Sequence, residues 1–191
     1  SAAYFYQNPY PILTQLKNPY LKLLAVFLLG MLTVLGFAPF YLFPVPAITL
    51  AVLLGFCHKS RTSLQAALLG FCFGMGLFCA GVTWIYVSLH DFGAMPMSAA
   101  VTALIILCAY LSLFPAFSFW ILTKFRRTSP FVWASVAAAL WMLFEWLRGN
   151  LFTGFPWLTL GYSQAPFSPL AGFAPIIGVY VISMVVVFSA A

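Results

Sequence analysis

The chain has 191 residues, of which 64% are apolar and 5% charged, whereas a water-soluble domain needs roughly a quarter of its residues charged to cover its surface. That balance excludes a soluble globular domain and makes lipid the solvent of its apolar surface. The net charge of +6 does not mark a nucleic-acid partner, because the basic residues are spread thinly among long apolar runs rather than gathered in one stripe.

A bilayer core about 30 Å thick takes about 20 helical residues to cross. Six apolar stretches of that order occur, at 21–38, 42–57, 64–89, 97–123, 130–147 and 170–191. The expected fold is an all-α integral membrane protein of about six transmembrane helices, with residues 1–20 as a cytoplasmic N-terminal segment and 21–191 as one multi-pass domain. The chain begins with Ser1 rather than Met and stops inside the apolar run Val179 to Ala191, so it reads as part of a longer protein.

The first stretch, from Leu21, reads as a retained helix rather than a signal peptide, since further spans follow and no small-residue cleavage site stands out. The second is short and carries Pro39, Pro44 and Pro46 at its start; a re-entrant or kinked hairpin is the alternative there. In the third, the Gly70-x-x-x-Gly74 spacing lets a neighbouring helix approach closely. Cys72 and Cys79, seven apart on a similar face, read as packing residues. With Cys57 and Cys108 they form no C-x-x-C pair, so neither a disulfide framework nor a zinc site is expected. His90 and Asp91 follow Trp84-Ile85-Tyr86 in a short outer loop. A lone histidine there reads as an ordinary loop residue, with a proton relay as the alternative.

Polarity returns at the end of the fifth stretch. Glu145 and Arg148 stand three apart on one helix, where an unpaired charge at membrane depth is expensive, and are expected to form an ion pair. Such a pair would fix the helix end or orient a headgroup or partner loop. The run that follows mixes Gly154, Pro156 and Gly161 with Phe155, Trp157 and Tyr162, which disfavours a regular helix and predicts an aromatic loop at the membrane surface. A lipid-handling site needs apolar walls for acyl chains and polar groups for headgroups. The candidate residues of such a site are Glu145, Arg148, Phe155, Pro156, Trp157 and Tyr162. No Ser/His/Asp set, phosphate-cradling glycine loop or other catalytic nucleophile is recognisable, and nothing calls for a cofactor or a metal.

Charge also predicts orientation, because Lys and Arg accumulate on the cytoplasmic side. With six crossings and the N-terminus inside, Lys17, Lys22, Lys59, Arg61, Lys124, Arg126 and Arg127 fall on that side, seven of the eight basic residues. Arg148 falls opposite, with Glu145, His90 and Asp91. A small transporter using these four residues is a competing reading, although they cluster at one face and no internal repeat supports it. A helical anchor without a site of its own is a third.

Three sets of segments carry a family resemblance. They are Glu145-Trp146-Leu147-Arg148-Gly149 with Thr153-Gly154-Phe155-Pro156-Trp157 and Gly161-Tyr162-Ser163-Gln164; Gly70-Phe71-Cys72-Phe73-Gly74 leading to Gly81, Trp84 and Tyr86-Val87-Ser88; and Phe37-Ala38-Pro39-Phe40. From about residue 21 onward the chain resembles the membrane portion of bacterial apolipoprotein N-acyltransferase. The resemblance implies an inner-membrane enzyme that moves a fatty acyl chain from a phospholipid to the N-terminal diacylglyceryl-cysteine of a lipoprotein, through a thioester on a cysteine thiolate. In that family the reacting Glu, Lys and Cys lie in a periplasmic nitrilase-like domain, and none of the cysteines here matches. Phe155 and Trp157 match positions that look out on the substrate entrance. The implied partners are a phospholipid donor, a diacylated lipoprotein acceptor and the bilayer.

Overall fold

In the computed structural model, which describes residues 18–191, the chain is a bundle of α-helices: α1 (Pro19–Thr33), α2 (Pro44–His58), α3 (Ser63–Gly81), the short α4 (Trp84–Val87), α5 (Met97–Leu122), α6 (Pro130–Asn150) and α7 (Ala174–Ala190). The expected N-terminal segment 1–20, with Lys17, lies outside the described residues except for its last three. The starts are encoded locally. Asn18, Thr62 and Ser129 each accept a hydrogen bond from a backbone N–H in the first turn of α1, α3 and α6. Pro19, Pro44 and Pro130 sit at helix starts, where a missing N–H costs nothing.

α3 is the centre of the bundle. A side chain at Gly70 or Gly74 would strike α5 at Pro115 and Ser112, so the small-residue spacing does admit a close neighbour, and Pro115 fits into the groove. On another face of α3, Gly76 lies against the backbone of Phe27, while Gly30 of α1 lies against that of Phe73. The core between these helices is filled by Leu50, Leu53, Phe56, Phe73, Leu111 and Phe119. Outward-facing positions are just as apolar: Leu24 and Leu28 on α1, Ile105 and Ile106 on α5, Leu143 on α6 and Ile176 on α7 are all exposed. Helices apolar on both faces are those of a membrane bundle.

Five segments are long and apolar enough to cross a bilayer: Pro19–Gly36, Ser63–Gly81, Met97–Phe125, Pro130–Asn150 and Pro169–Ala190. The second expected span differs. α2 has 15 residues, or roughly 22 Å at 1.5 Å per residue, short of a 30 Å core. Its Leu50, Val52, Leu53, Leu54, Phe56 and Cys57 are buried among its neighbours, so protein packing holds it. The third stretch ends earlier than 64–89: α3 stops at Gly81, and α4 and a wide turn over Ser88–Phe92 follow. The last is broken at Gly178, whose φ of 77° is non-helical.

The helices alternate in direction. At one end Ser63 Oγ and Thr123 Oγ1 share a 2.7 Å hydrogen bond, the His58 and Trp133 rings meet at 5.2 Å, and Lys22 Nζ stands 5.1 Å from the Phe56 ring centre. Phe131, at the start of α6, meets Phe188, near the end of α7, at this same end. These contacts gather Lys22, Lys59, Arg61, Lys124, Arg126 and Arg127 at a single basic end, while Arg148 belongs to the opposite one.

Candidate functional site

At that opposite end α6 finishes and residues 151–173 form a connection without α-helix, including 3-10 helices at Leu160–Gln164 and Pro169–Phe173, that folds back over it. The reversal is local. Leu151 leaves the helix with extended backbone, Gly154 takes a φ of 72°, and the Phe155 N–H donates to the Arg148 carbonyl at 2.9 Å. Gly154 packs against the Gly149 carbonyl with no room for a side chain.

Glu145 and Arg148 lie beneath this loop, 6% and 3% exposed. Their hydrogen bonds do not go to each other, which corrects the expected ion pair. Arg148 Nη1 donates to the carbonyls of Phe155 (2.8 Å) and Trp157 (2.5 Å), and its guanidinium lies 5.2 Å from the Phe78 ring centre. Glu145 Oε1 accepts from the Leu160 N–H at 2.8 Å. The physical reason is the loop itself: non-helical backbone in a low-dielectric setting must find partners, and the two side chains supply them. Two further groups do the same. Ser183 Oγ accepts from the Gly161 N–H at 2.8 Å, and Gln164 Nε2 donates to the Phe43 carbonyl at 3.2 Å.

Above this polar layer lies an aromatic one. Phe155 is half-buried, Pro156 is exposed, and Trp157 and Tyr162 are 50% and 57% exposed. Trp157 rests on Trp84 with ring centres 5.1 Å apart, and Phe167 meets Tyr41 edge-on at 5.7 Å. Between the layers Leu158, at a φ of 58°, packs onto Gly81, where any side chain would displace it. The end of α3 and the start of α4 are therefore part of the loop's seat.

The six expected residues thus fall into two sets, Glu145 and Arg148 below and Phe155, Pro156, Trp157 and Tyr162 above. Sequence reasoning missed Ser183 and the Gly81–Leu158 contact. A serine within the apolar run of α7 was the available signal for the first, and the second pairs positions too far apart in sequence to be read. Trp141 Nε1 and Glu145 Oε2 are buried without a hydrogen-bond partner. Both border one cavity of about 20 Å³, also lined by Phe78, Ser118 and Arg148, about the room one water needs. His90 donates from Nδ1 to the Met95 carbonyl at 2.8 Å and stacks near Tyr86, closing its own turn, while Asp91 is exposed. The four cysteines are unpaired, Cys57 and Cys108 being buried.

A bundle with apolar walls, a basic end and an anchored aromatic loop at the other end defines a multi-pass membrane domain. Residues 29–191 match the family model described as Apolipoprotein N-acyltransferase N-terminal domain, and the chain belongs to that family. It is 65% identical over 175 residues to the apolipoprotein N-acyltransferase of Nitrosomonas europaea, covering 91% of this chain and 35% of that protein. It is 40% identical over 176 residues to that of Vibrio cholerae, covering 92% and 34%, and 44% identical over 161 residues to that of Coxiella burnetii, covering 83% and 33%. The chain spans about a third of the length of these relatives.

Proposed function

We propose that this chain is the membrane region of an apolipoprotein N-acyltransferase of the bacterial inner membrane, with its N-terminus cytoplasmic, about six crossings and the aromatic loop on the periplasmic side. The enzyme transfers a fatty acyl chain from a phospholipid to the N-terminal diacylglyceryl-cysteine of a lipoprotein. A cysteine thiolate takes the acyl group as a thioester and yields it to the amine, with Glu, Lys and Cys carried by a nitrilase-like domain outside these 191 residues. The membrane region places that chemistry against the bilayer, and its loop forms part of the route by which phospholipid and lipopeptide reach it.

The observation that carries this reading is the division at the loop. Every charged side chain beneath it is engaged with backbone, leaving Pro156, Trp157 and Tyr162 as an exposed, rigidly backed apolar-aromatic surface. Glu145 and Arg148 act as positioning residues for that surface. In the full-length protein in phospholipid vesicles, Trp157→Ala and Tyr162→Ala should lower the rate of acyl transfer to a diacylated lipopeptide about tenfold or more while thermal stability stays at the wild-type value. Unchanged transfer by both variants would remove the loop from the access route. The 191-residue chain alone should show no transfer, and transfer by it would overturn the assignment of the chemistry to another domain.

A further inference from the structure

The basic end of the bundle carries a cleft of about 430 Å³ between the start of α1, the α2–α3 connection and the first turns of α3. Pro19, Leu23, Leu68 and Leu69 supply apolar walls, and Lys22, Lys59 and Arg61 bring three cationic side chains to it. The connection is fixed: the Arg61 N–H donates to Gln65 Oε1 at 2.9 Å, and Thr62 caps α3. Lys22 lies along Phe56, its Nζ 5.1 Å from the ring centre.

These cations have no acidic side chain to meet. The chain has two acidic residues in all: Asp91 stands in the turn after α4, and Glu145 is buried beneath the aromatic loop at the opposite end. The counter-charge of the cleft must come from outside this sequence. Its volume lies within the range of small-molecule sites, and Leu68, an exposed residue of α3, carries one wall out to the apolar outer surface of the bundle. A membrane component with an anionic head and apolar tails matches both features, since basic pockets between helices at the membrane surface take lipid phosphates.

We propose that this cleft binds the phosphate headgroup of an anionic phospholipid, with Lys22, Lys59 and Arg61 around the phosphate and the acyl chains running along Leu23 and Leu68. It is separate from the aromatic loop and from the acyl donor proposed there.

The 191-residue chain, purified in a neutral detergent, is titrated with phosphatidylglycerol, with phosphatidylcholine, and with inorganic phosphate, and the bound lipid is counted by native mass spectrometry. The expected result is one retained phosphatidylglycerol, bound at least tenfold more tightly than phosphatidylcholine and not displaced by millimolar phosphate. Lys22→Gln with Lys59→Gln and Arg61→Gln should weaken it at least tenfold. Lys124→Gln with Arg127→Gln, which removes charge from the same end outside the cleft, should leave it unchanged. Equal retention by the triple variant overturns the proposal, as does equal loss in the Lys124/Arg127 variant, which would mean diffuse surface charge. Displacement by inorganic phosphate would make it a soluble-anion site instead. Should the triple variant fail to fold, Arg61→Gln alone, at an exposed residue, still has to weaken retention for the proposal to stand.

Discussion

Replacing Arg148 by alanine should free the aromatic loop without dissolving the bundle. Two charge-assisted hydrogen bonds, to the Phe155 and Trp157 carbonyls, disappear with the guanidinium. Bonds of this kind are worth about 1.5–3 kcal/mol each, and a buried carbonyl left without a partner carries its full desolvation penalty. Glu145, one turn away on the same helix, also loses a nearby positive charge, although the two side chains share no hydrogen bond. These contributions overlap, and the half-exposed Trp157 can recover a water, so about 3 kcal/mol is the expected cost to the closed loop, or roughly a hundredfold in its opening equilibrium. The amides that report it are Phe155, bonded to the Arg148 carbonyl, Leu160, bonded to Glu145, and Gly161, bonded to Ser183. Hydrogen-exchange mass spectrometry of the detergent-solubilised chain should show peptides covering 151–165 exchanging about a hundredfold faster in Arg148→Ala, with α3 peptides unchanged. Arg148→Lys should fall between, since an ammonium keeps the charge but not the planar fork that reaches two carbonyls. Wild-type exchange across the loop in Arg148→Ala would refute the clamp, and uniform acceleration through α3 would show that Arg148 supports the whole bundle instead.

Gly81→Val forces a side chain into Leu158 and should cost about 1–3 kcal/mol as overpacking, lowering the Tm in detergent; Leu158→Ala in the same chain should restore part of it in a double-mutant cycle. Trp141→Phe removes a buried N–H without a partner and keeps a ring edge-on to Phe73 and Phe119. Thermal unfolding should place it within about 1 kcal/mol of wild type, whereas Trp141→Ala should cost about 3–5 kcal/mol. A large loss in the phenylalanine variant would mean that the indole N–H has a partner after all. For topology, single cysteines at Arg127 and Phe167 in a chain freed of its four native cysteines should label oppositely in intact cells, Phe167→Cys reacting with an impermeant maleimide added outside. Labelling of Arg127→Cys instead would invert the proposed orientation.

The helical bundle was legible because its solvent is apolar: long apolar runs interrupted by Pro, Ser, Thr and Asn mark both the crossings and their starts, and Gly70-x-x-x-Gly74 marks the α3–α5 seam. What the apolar runs carry less well is length and continuity. Residues 42–57 carry enough apolar character for a span, yet α2 is only 15 residues long and is held by its neighbours. The apolar run 64–89 continues past the break after Gly81, and the contact that needs a glycine there, with Leu158, is 77 positions further on. At the site, the sequence identified Glu145 and Arg148 as unusual but not their partners. Spacing on a helix can suggest that two side chains meet; it cannot show that a loop of the same chain will offer both of them backbone groups.

That last point explains why charge is tolerated here at all. In a bilayer only helices satisfy their own backbone, so an irregular loop packed against helices leaves N–H and C=O groups that lipid cannot serve. Around this loop Arg148 serves two carbonyls, Gln164 serves the Phe43 carbonyl at the neighbouring helix start, and Glu145 and Ser183 serve one N–H each. Apart from Glu145 Oε2, these polar groups are engaged with backbone of the loop or of the α2 start before any substrate is considered. With its backbone held from below, the loop can keep Trp157 and Tyr162 half in solvent and half against protein, a position that unsupported side chains would leave by collapsing onto the bundle. Substitutions beneath the loop should consequently act through its order, and those above it through what it touches. The two classes are separable because only the first changes amide exchange.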